Sequence, residues 1–439
     1  MGAATRGTRV AWDAGPVATR RGDAVMAAVV AFFIAMPYPG LAIGSNTGLT
    51  LGHVFSFLAL ALAFARRSRV VPLVSWITGL AVLPLLLPVI ASDSPVGNLN
   101  AAIAFSIHLF ALGATVYLFP RAPAAFLGGL VAAITVHALV GFLQMSGFDR
   151  GELVGEALLV NPSFASFEAT RDVYVQYVRR PFGLFPEPSA AAASLGPWVV
   201  LLLAGATGHS LPALGRLQGR ARWLCAAAAA AAIWLIIAGE SGGFISAALG
   251  TTVLLLGLAI NRLRRGGLLT AFIVPVVILA GLFLAFDFIL SARGVQTLAF
   301  NASWVDRLNS IVAGSDVLSD RPFMGLLFGI GLFDSQMAVA FVSGATGIHS
   351  ASVSYLLGSG VLGALIVCLA MVWSVKPWQP NWVRVAFGIA LWTSLTAVSG
   401  YYALLMLWSA LGLALVWPHR QDRAPLPQTE RRAFRVQSR

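Results

Sequence analysis

The sequence predicts an all-α polytopic membrane protein of about twelve transmembrane helices with two sizeable outer loops, the larger partly helical. Three observations carry that expectation. Hydrophobic residues make up 58% of the 439 residues, charged ones only 10%, and mean hydropathy is +0.83, whereas about a quarter of a soluble domain is charged. The apolar residues fall in blocks of roughly 17–25, the length at which a helix crosses a bilayer core. No block alternates as a barrel strand would, which leaves helices as the spanning element.

The blocks place spans near 24–44, 50–65, 70–91, 100–120, 123–145, 189–207, 222–239, 242–260, 267–288, 350–374, 384–400 and 401–418. Gly400 is nearly the only break between the last two. The net charge of +12 resembles a nucleic-acid signature until its distribution is traced. With the N-terminus inside, four arginines of the leading segment, twelve loop residues from Arg66 to Arg384 and six arginines of the tail lie inside. Only seven of the 29 basic residues then fall outside, and 13 of the 17 acidic ones do. That bias is a topology signal, and nucleic acid is not an expected partner.

Residues 1–23 are basic, lack a small-residue cleavage site after Leu41, and read as an inner segment before a retained first helix. Helices one to five then occupy 24–145. They contain His53, His108 and His137, each alone on an apolar background. Hydrogen bonding between helices is the favoured reading, with function the alternative, best placed at His53 near the outer surface. Cys225 and Cys368 offer neither a disulfide framework nor zinc spacing, and read as small packing residues.

An outer loop follows over 146–188, with an amphipathic stretch from Glu168 to Tyr177. Its end reads Val178-Arg179-Arg180-Pro181-Phe182-Gly183-Leu184-Phe185-Pro186-Glu187-Pro188 and runs into a small-residue helix. Helices six to nine fill 189–288, and Glu240 sits in the outer turn between the seventh and eighth. The larger outer loop, 289–349, carries Arg293, Arg307, Asp320 and Arg321, an amphipathic pattern from Trp304 to Val317, and a Gly-rich run at Gly325, Gly329 and Gly331. His349 closes it. Helices ten to twelve take 350–418, and 419–439 is a basic inner tail.

Arg179, Arg180, Glu187, Glu240, Arg307, Arg321 and His349 all fall on one predicted face. Arginine binds phosphate through a fixed, charged fork. Histidine exchanges a proton near neutral pH. The set suits an anionic, phosphate-bearing ligand with an acid/base group beside it. Competing roles are an arginine extended to lipid headgroups, Glu187 as a helix cap, Asp320–Arg321 as a local ion pair, and His349 as a helix anchor. There is no Gly-x-x-x-x-Gly-Lys phosphate loop and no His-Glu-x-x-His or other metal-ligand spacing. Neither metal nor cofactor is expected.

Four patches resemble the O-antigen ligase and polysaccharide polymerase superfamily of bacterial inner membranes. They are Arg180-Pro-Phe-Gly-Leu-Phe with Glu187-Pro-Ser; Glu240-Ser-Gly-Gly; Arg307 with Asp320-Arg321-Pro-Phe-Met-Gly and Gly329-Ile-Gly331; and His349-Ser with Gly360-Val-Leu-Gly363. Together they cover roughly residues 178–365. The resemblance implies a multi-pass inner-membrane protein whose active site faces the periplasm. It implies metal-independent transfer of a glycan from an undecaprenyl-pyrophosphate carrier to a hydroxyl of an acceptor glycan or of lipid A-core. Arg180 and Arg321 would hold the pyrophosphate with support from Arg307 and Arg179, and His349 would orient or deprotonate the acceptor. Membrane lipids, a chain-length regulator and a flippase are the implied partners.

This sequence departs from the family pattern at Gly242, where many members carry arginine, and at Ser350, where asparagine is usual. Glu187 is a second candidate base, and it tilts the expectation toward a polymerase over a ligase. A transporter or flippase of a lipid-linked substrate is the alternative from another class. It would place charge at mid-membrane and break helices, with Pro37, Pro72 and Pro275 as candidate breakers.

Overall fold

The computed structural model describes residues 20–37, 40–42, 48–148, 181–185, 188–239, 243–263, 302–343, 348, 350–375, 381–398 and 405–417. Its helices are α1 (Arg21–Ala35), α2 (Leu51–Ala65), α3 (Val70–Leu86), α4 (Pro95–Leu118), α5 (Pro123–Met145), α6 (Pro188–Ala206), α7 (Gly219–Ala238) and α8 (Phe244–Leu263). They continue with α9 (Ala302–Ser319), α10 (Phe323–Phe328), α11 (Leu332–Ser343), α12 (Ala351–Val375), α13 (Trp382–Thr393) and α14 (Leu405–Val416). Two short antiparallel hairpins, Gly40–Ala42 with Gly48–Thr50 and Ser210–Leu211 with Gly215–Arg216, are the strands among the described residues.

Six helical stretches are long and apolar enough to cross a membrane: Val70–Ile90, Pro95–Leu118, Pro123–Met145, Pro188–Ala206, Gly219–Ala238 and Ala351–Ser374. Shorter apolar helices pack among them. The protein is therefore a helical membrane protein. The predicted span 267–288 and the amphipathic stretch 168–177 lie outside the described residues.

The first predicted span, 24–44, is shorter than expected. The helix stops at Ala35 and the chain turns into the first hairpin. Pro37 and Pro39 explain the stop: proline lacks an N–H and forces the residue before it out of helical geometry. Pro72, by contrast, falls in the first turn of α3, where no N–H is needed. Pro84 inside α3 is followed within three residues by the 3-10 turn Leu87–Ala91.

The main core lies where α6 runs through the bundle. Its face from Ala190 to Leu202 is almost entirely buried, because four alanines and Gly196 let neighbouring backbones approach closely. Trp198 fills the centre, edge-on to Phe387 of α13 and beside Phe126 of α5. A second, smaller core of Ala313, Val317, Val339, Ile348 and Leu357 holds α9 and α11 against the start of α12. Cys225 is buried as expected, but Cys368 is exposed on α12, on an apolar helix that leaves lipid-facing positions open.

The two ends of the bundle differ chemically. At one, hereafter the basic end, arginines close helix termini. Arg66 pairs with Asp23 and donates to the Tyr117 hydroxyl at 3.3 Å. Arg121 donates to the Tyr117 carbonyl at 2.6 Å and stacks over its ring at 4.0 Å. Arg222 donates to the Ala206 carbonyl, and buried Arg384 to those of Ser374 and Trp373. The last carbonyls of a helix lack intrahelical partners and carry partial negative charge, so a guanidinium satisfies both.

Candidate functional site

Five of the seven candidate residues, Arg179, Arg180, Glu187, Glu240 and His349, lie outside the described residues; the end of the bundle opposite the basic one, hereafter the far end, holds their described chain neighbours. Arg307 falls on α9 with only its backbone described. Arg321, half-buried, opens the turn between α9 and α10, and its guanidinium makes no hydrogen bond or ion pair with the described residues. The local ion pair with Asp320 is therefore absent from the described contacts.

Specific contacts hold the chain neighbours of these residues. The turn Pro181–Phe185 is pinned to the far end of α5 by two side chains. Gln144 accepts from the Phe182 and Gly183 amides, both at 3.0 Å, and donates to the Gly183 carbonyl at 2.9 Å. His137 accepts from the Leu184 amide at 3.1 Å and contacts the Ala35 carbonyl of α1 at 2.8 Å. A carbonyl can only accept, so His137 carries its proton on Nε2 and leaves Nδ1 free for Leu184. Phe185 stacks on the same ring at 4.2 Å. Gly183 has φ +61, and a Cβ there would meet His137 within 2.8 Å, so both conformation and space require glycine.

This turn meets the starts of two other segments. A Cβ on Gly239, at the end of α7, would lie 2.9 Å from the Pro181 carbonyl and 3.4 Å from Pro188. Gly239 thus packs against both Pro181 and Pro188, and the three are the chain neighbours of Glu240, Arg180 and Glu187 respectively. This packing brings the end of α7 against the Pro181–Phe185 turn and the start of α6.

A second anchorage surrounds the chain neighbours of His349. Ile348 donates its amide to Gln336 of α11 at 2.8 Å, and Gln336 donates to Ser354 of α12 at 2.7 Å. Ser350 is buried and caps the first turn of α12 by accepting from the Val353 amide at 3.2 Å. Serine at this position, where the family resemblance led us to expect asparagine, serves as a helix N-cap.

The π turn Ser394–Val398, which ends α13, bonds the starts of α8 and α12. Ser246 at the start of α8 donates to the Ala390 carbonyl at 2.8 Å and therefore accepts from Ser394 at 2.6 Å. Thr396 contacts Ser352 at the start of α12, 3.2 Å away. A π turn widens the helix and exposes extra backbone polar groups, a feature frequent at functional sites.

Sequence reasoning missed the amides that fix this end. Gln144 lies in the last turn of α5, within the span expected at 123–145. Asn98 on α4 clamps the Gly-rich run: it accepts from the Phe333 amide at 2.8 Å and donates to Asp334 at 2.9 Å. Lone amides in apolar helices were the available signal. The histidines do join helices. Thr50 donates its amide to His53 Nδ1 at 3.0 Å, so His53 donates from Nε2 to His108 Nδ1 at 2.8 Å, tying α2 to α4.

Among the described residues no three His, Cys, Asp or Glu side chains converge as a metal would require. A shallow cavity of about 540 Å³, lined by Arg21, Val25, Met26 and Phe55, lies on α1 near the basic end, away from the candidate residues. Compared with known proteins, the chain matches no family model, no curated protein and no solved structure.

Proposed function

We propose that this protein is a metal-independent glycosyltransferase of lipid-linked glycans. It works with the far end at the periplasmic face of a bacterial inner membrane, in a chain of about twelve spans, and it polymerises repeat units in preference to ligating them to lipid A-core. The observation that supports the reading is the packing of Gly239 against both Pro181 and Pro188, beside a π turn that bonds the starts of α8 and α12. It gathers the segments that adjoin Arg180, Glu187, Glu240 and His349 at one end of the bundle.

The chemistry needs few parts. An acceptor hydroxyl attacks the anomeric carbon of the carrier-linked sugar, and the carbon–oxygen bond to pyrophosphate breaks with its electron pair leaving on the phosphate. The proton goes to His349 or Glu187. Arg180 and Arg321, with Arg307 and Arg179 beside them, balance the charge of the departing pyrophosphate, where a poorly hydrated setting makes each contact stronger than in water. Attack opposite the leaving group inverts the anomeric centre. A carrier held by its lipid tail explains a site at a membrane boundary.

The test is reaction of the purified protein with a lipid-linked repeat, with and without lipid A-core. Lengthening of the lipid-linked glycan alone marks a polymerase; product only with core marks a ligase. Arg180→Ala, Arg321→Ala and His349→Ala should each abolish long product at normal protein level. Full-length ladders from all three would sink the proposal.

One observation favours a transporter: α12 is broken at Gly360, and discontinuous helices bind ions in transporters. The break, however, does not leave its carbonyls open. Those of Leu357 and Gly358 accept from the Ile330 and Gly331 amides at 3.0 and 3.1 Å. Solute uptake into vesicles without glycan transfer would reverse this preference.

A further inference from the structure

The sequence between Phe323 and Ile348 has a single charged residue, Asp334, although it lies in what hydropathy blocks assign to an aqueous loop. Its contacts run downward into the bundle. Ile330 and Gly331 bond the carbonyls that the Gly360 break frees in α12. Gly329 and Gly331 have φ of +80 and +90, and a Cβ on either would strike the Gly358 backbone or the Asn98 amide within 2.5 Å. The turn is therefore wedged between α4 and α12.

Depth can be read from the neighbours. Tyr355, on the same half of α12, donates its hydroxyl to the carbonyl of Ala81 at 2.6 Å, and its ring lies 5.4 Å from that of Phe105. Ala81 is near the middle of the 21-residue span Val70–Ile90, and Phe105 near the middle of the 24-residue span Pro95–Leu118. Ser354, next to Tyr355, is the residue that Gln336 of α11 bonds. Asp334 marks the upper limit, held by Asn98 and by the Ser94 amide at the start of α4. A 24-residue helix is about 36 Å long against a hydrocarbon core of about 30 Å, so the start of α4 lies at the headgroup boundary.

On its outer side the segment turns large apolar side chains away from the bundle. Phe323 is 73% and Phe341 92% exposed, with Met324, Met337 and Val342 also exposed. This surface continues the lipid-facing side of α3, where Trp76, Leu83 and Ile90 are equally open, and α10 packs on the Leu87–Ala91 turn that ends that helix. Irregular backbone at membrane depth is tolerated where protein satisfies its polar groups, and here α12 and Asn98 do so. An apolar patch of this extent marks an interaction surface.

We propose that residues 323–343 form a re-entrant element seated in the far-end half of the bilayer, whose Phe323/Met324 and Met337/Phe341 flank contacts lipid hydrocarbon chains. The element lies in the membrane and is not a water-exposed loop. The inference is independent of the glycosyltransferase reading.

The experiment places a nitroxide at single cysteines, Met324→Cys, Met337→Cys and Phe341→Cys, in a Cys225→Ala/Cys368→Ala background reconstituted in liposomes. Accessibility to oxygen is compared with accessibility to a water-soluble nickel chelate. Leu83→Cys is the lipid reference and Asp93→Cys, in the exposed turn before α4, the water reference. All three sites should give oxygen-to-nickel ratios within about twofold of Leu83→Cys and roughly tenfold above Asp93→Cys. Ratios matching Asp93→Cys would overturn the proposal. Should the cysteine-free background fail to fold, unaltered protein in liposomes carrying diazirine-tailed lipid gives a second readout. Labelling of the 323–343 peptide beside that of α3 supports the element, and labelling of α3 alone overturns it.

Discussion

The basic end and the far end of the bundle solve one problem, closing helices at a membrane surface, with different chemistry. At the basic end charge does the work: Arg66, Arg121, Arg222 and Arg384 bond to helix carbonyls, to a tyrosine hydroxyl or to Asp23. At the far end neutral side chains do it. His137, Gln144, Asn98, Gln336 and the serines at 246, 350 and 394 satisfy loop amides and carbonyls, and Arg321 is left outside the described bonds. The lesson is that an arginine at a membrane boundary says little until its acceptor is known. Arginines bonded to helix ends act as structural caps; Arg321 has no such bond among the described residues.

The contrast is broken most severely by changing the far-end backbone. Gly360 has φ +63 and ψ −156, and a Cβ there would lie 2.4 Å from the Gly329 amide nitrogen and 2.6 Å from the Leu326 carbonyl oxygen. Backbone strain of about 1–3 kcal/mol adds to the displacement of the wedged turn, so Gly360→Ala should cost about 3 kcal/mol or more, read as a large fall in melting temperature in detergent. A melting curve that overlays the parent would mean the turn is not wedged.

Next in size is the arginine pair that defines the comparison. Arg384→Ala leaves the Ser374 and Trp373 carbonyls unpaired at a buried helix end and should cost about 2–3 kcal/mol. Arg321→Ala should change stability by less than about 0.5 kcal/mol while removing activity. Equal destabilisation by both would erase the distinction between the ends.

His137→Ala removes one bond and a stacked ring from the Pro181–Phe185 turn, and the bond to Ala35 of α1, an expected loss of about 2 kcal/mol. Tryptic cleavage after Arg179 should accelerate in step, because the anchor that follows it is gone. An unchanged cleavage rate would detach that turn from the control of its neighbouring arginines.

The smallest effect tests the basic end by pH. Burial holds the imidazole of His209 below its usual pKa, with Arg216 adding to the shift. The unfolded chain then binds the proton more readily, so stability is full above about pH 6.5 and falls as pH drops below it. His209→Gln should flatten that slope slightly in melting curves from pH 7.5 to 5.5; an identical slope would exclude the residue as its source.

What was legible beforehand was one-dimensional. Apolar block lengths located α2 to α8 and α12 to α14, and charge bias separated the two ends, because both signals are sums over consecutive residues. The helix at 304–317 also showed its period. The end of α1 was misjudged because hydropathy does not register that Pro37 and Pro39 forbid the helix to continue. The Gly-rich run looked weak because a glycine's value lies in what it approaches, and Gly331 approaches Asn98, far away in sequence.

The sequence by itself therefore determined that this chain is a helical membrane protein, which end carries the arginines, and which residue types are concentrated at the other. Composition and periodicity suffice because the bilayer rewards apolar length directly. Tertiary structure alone decided which polar groups are already spent. Hydrogen bonds from His137 to Leu184, from Gln336 to Ile348 and from Ile330 to Leu357 depend on distances across the fold that no local pattern encodes. Such contacts also hold the Gly-rich run against α4 and α12.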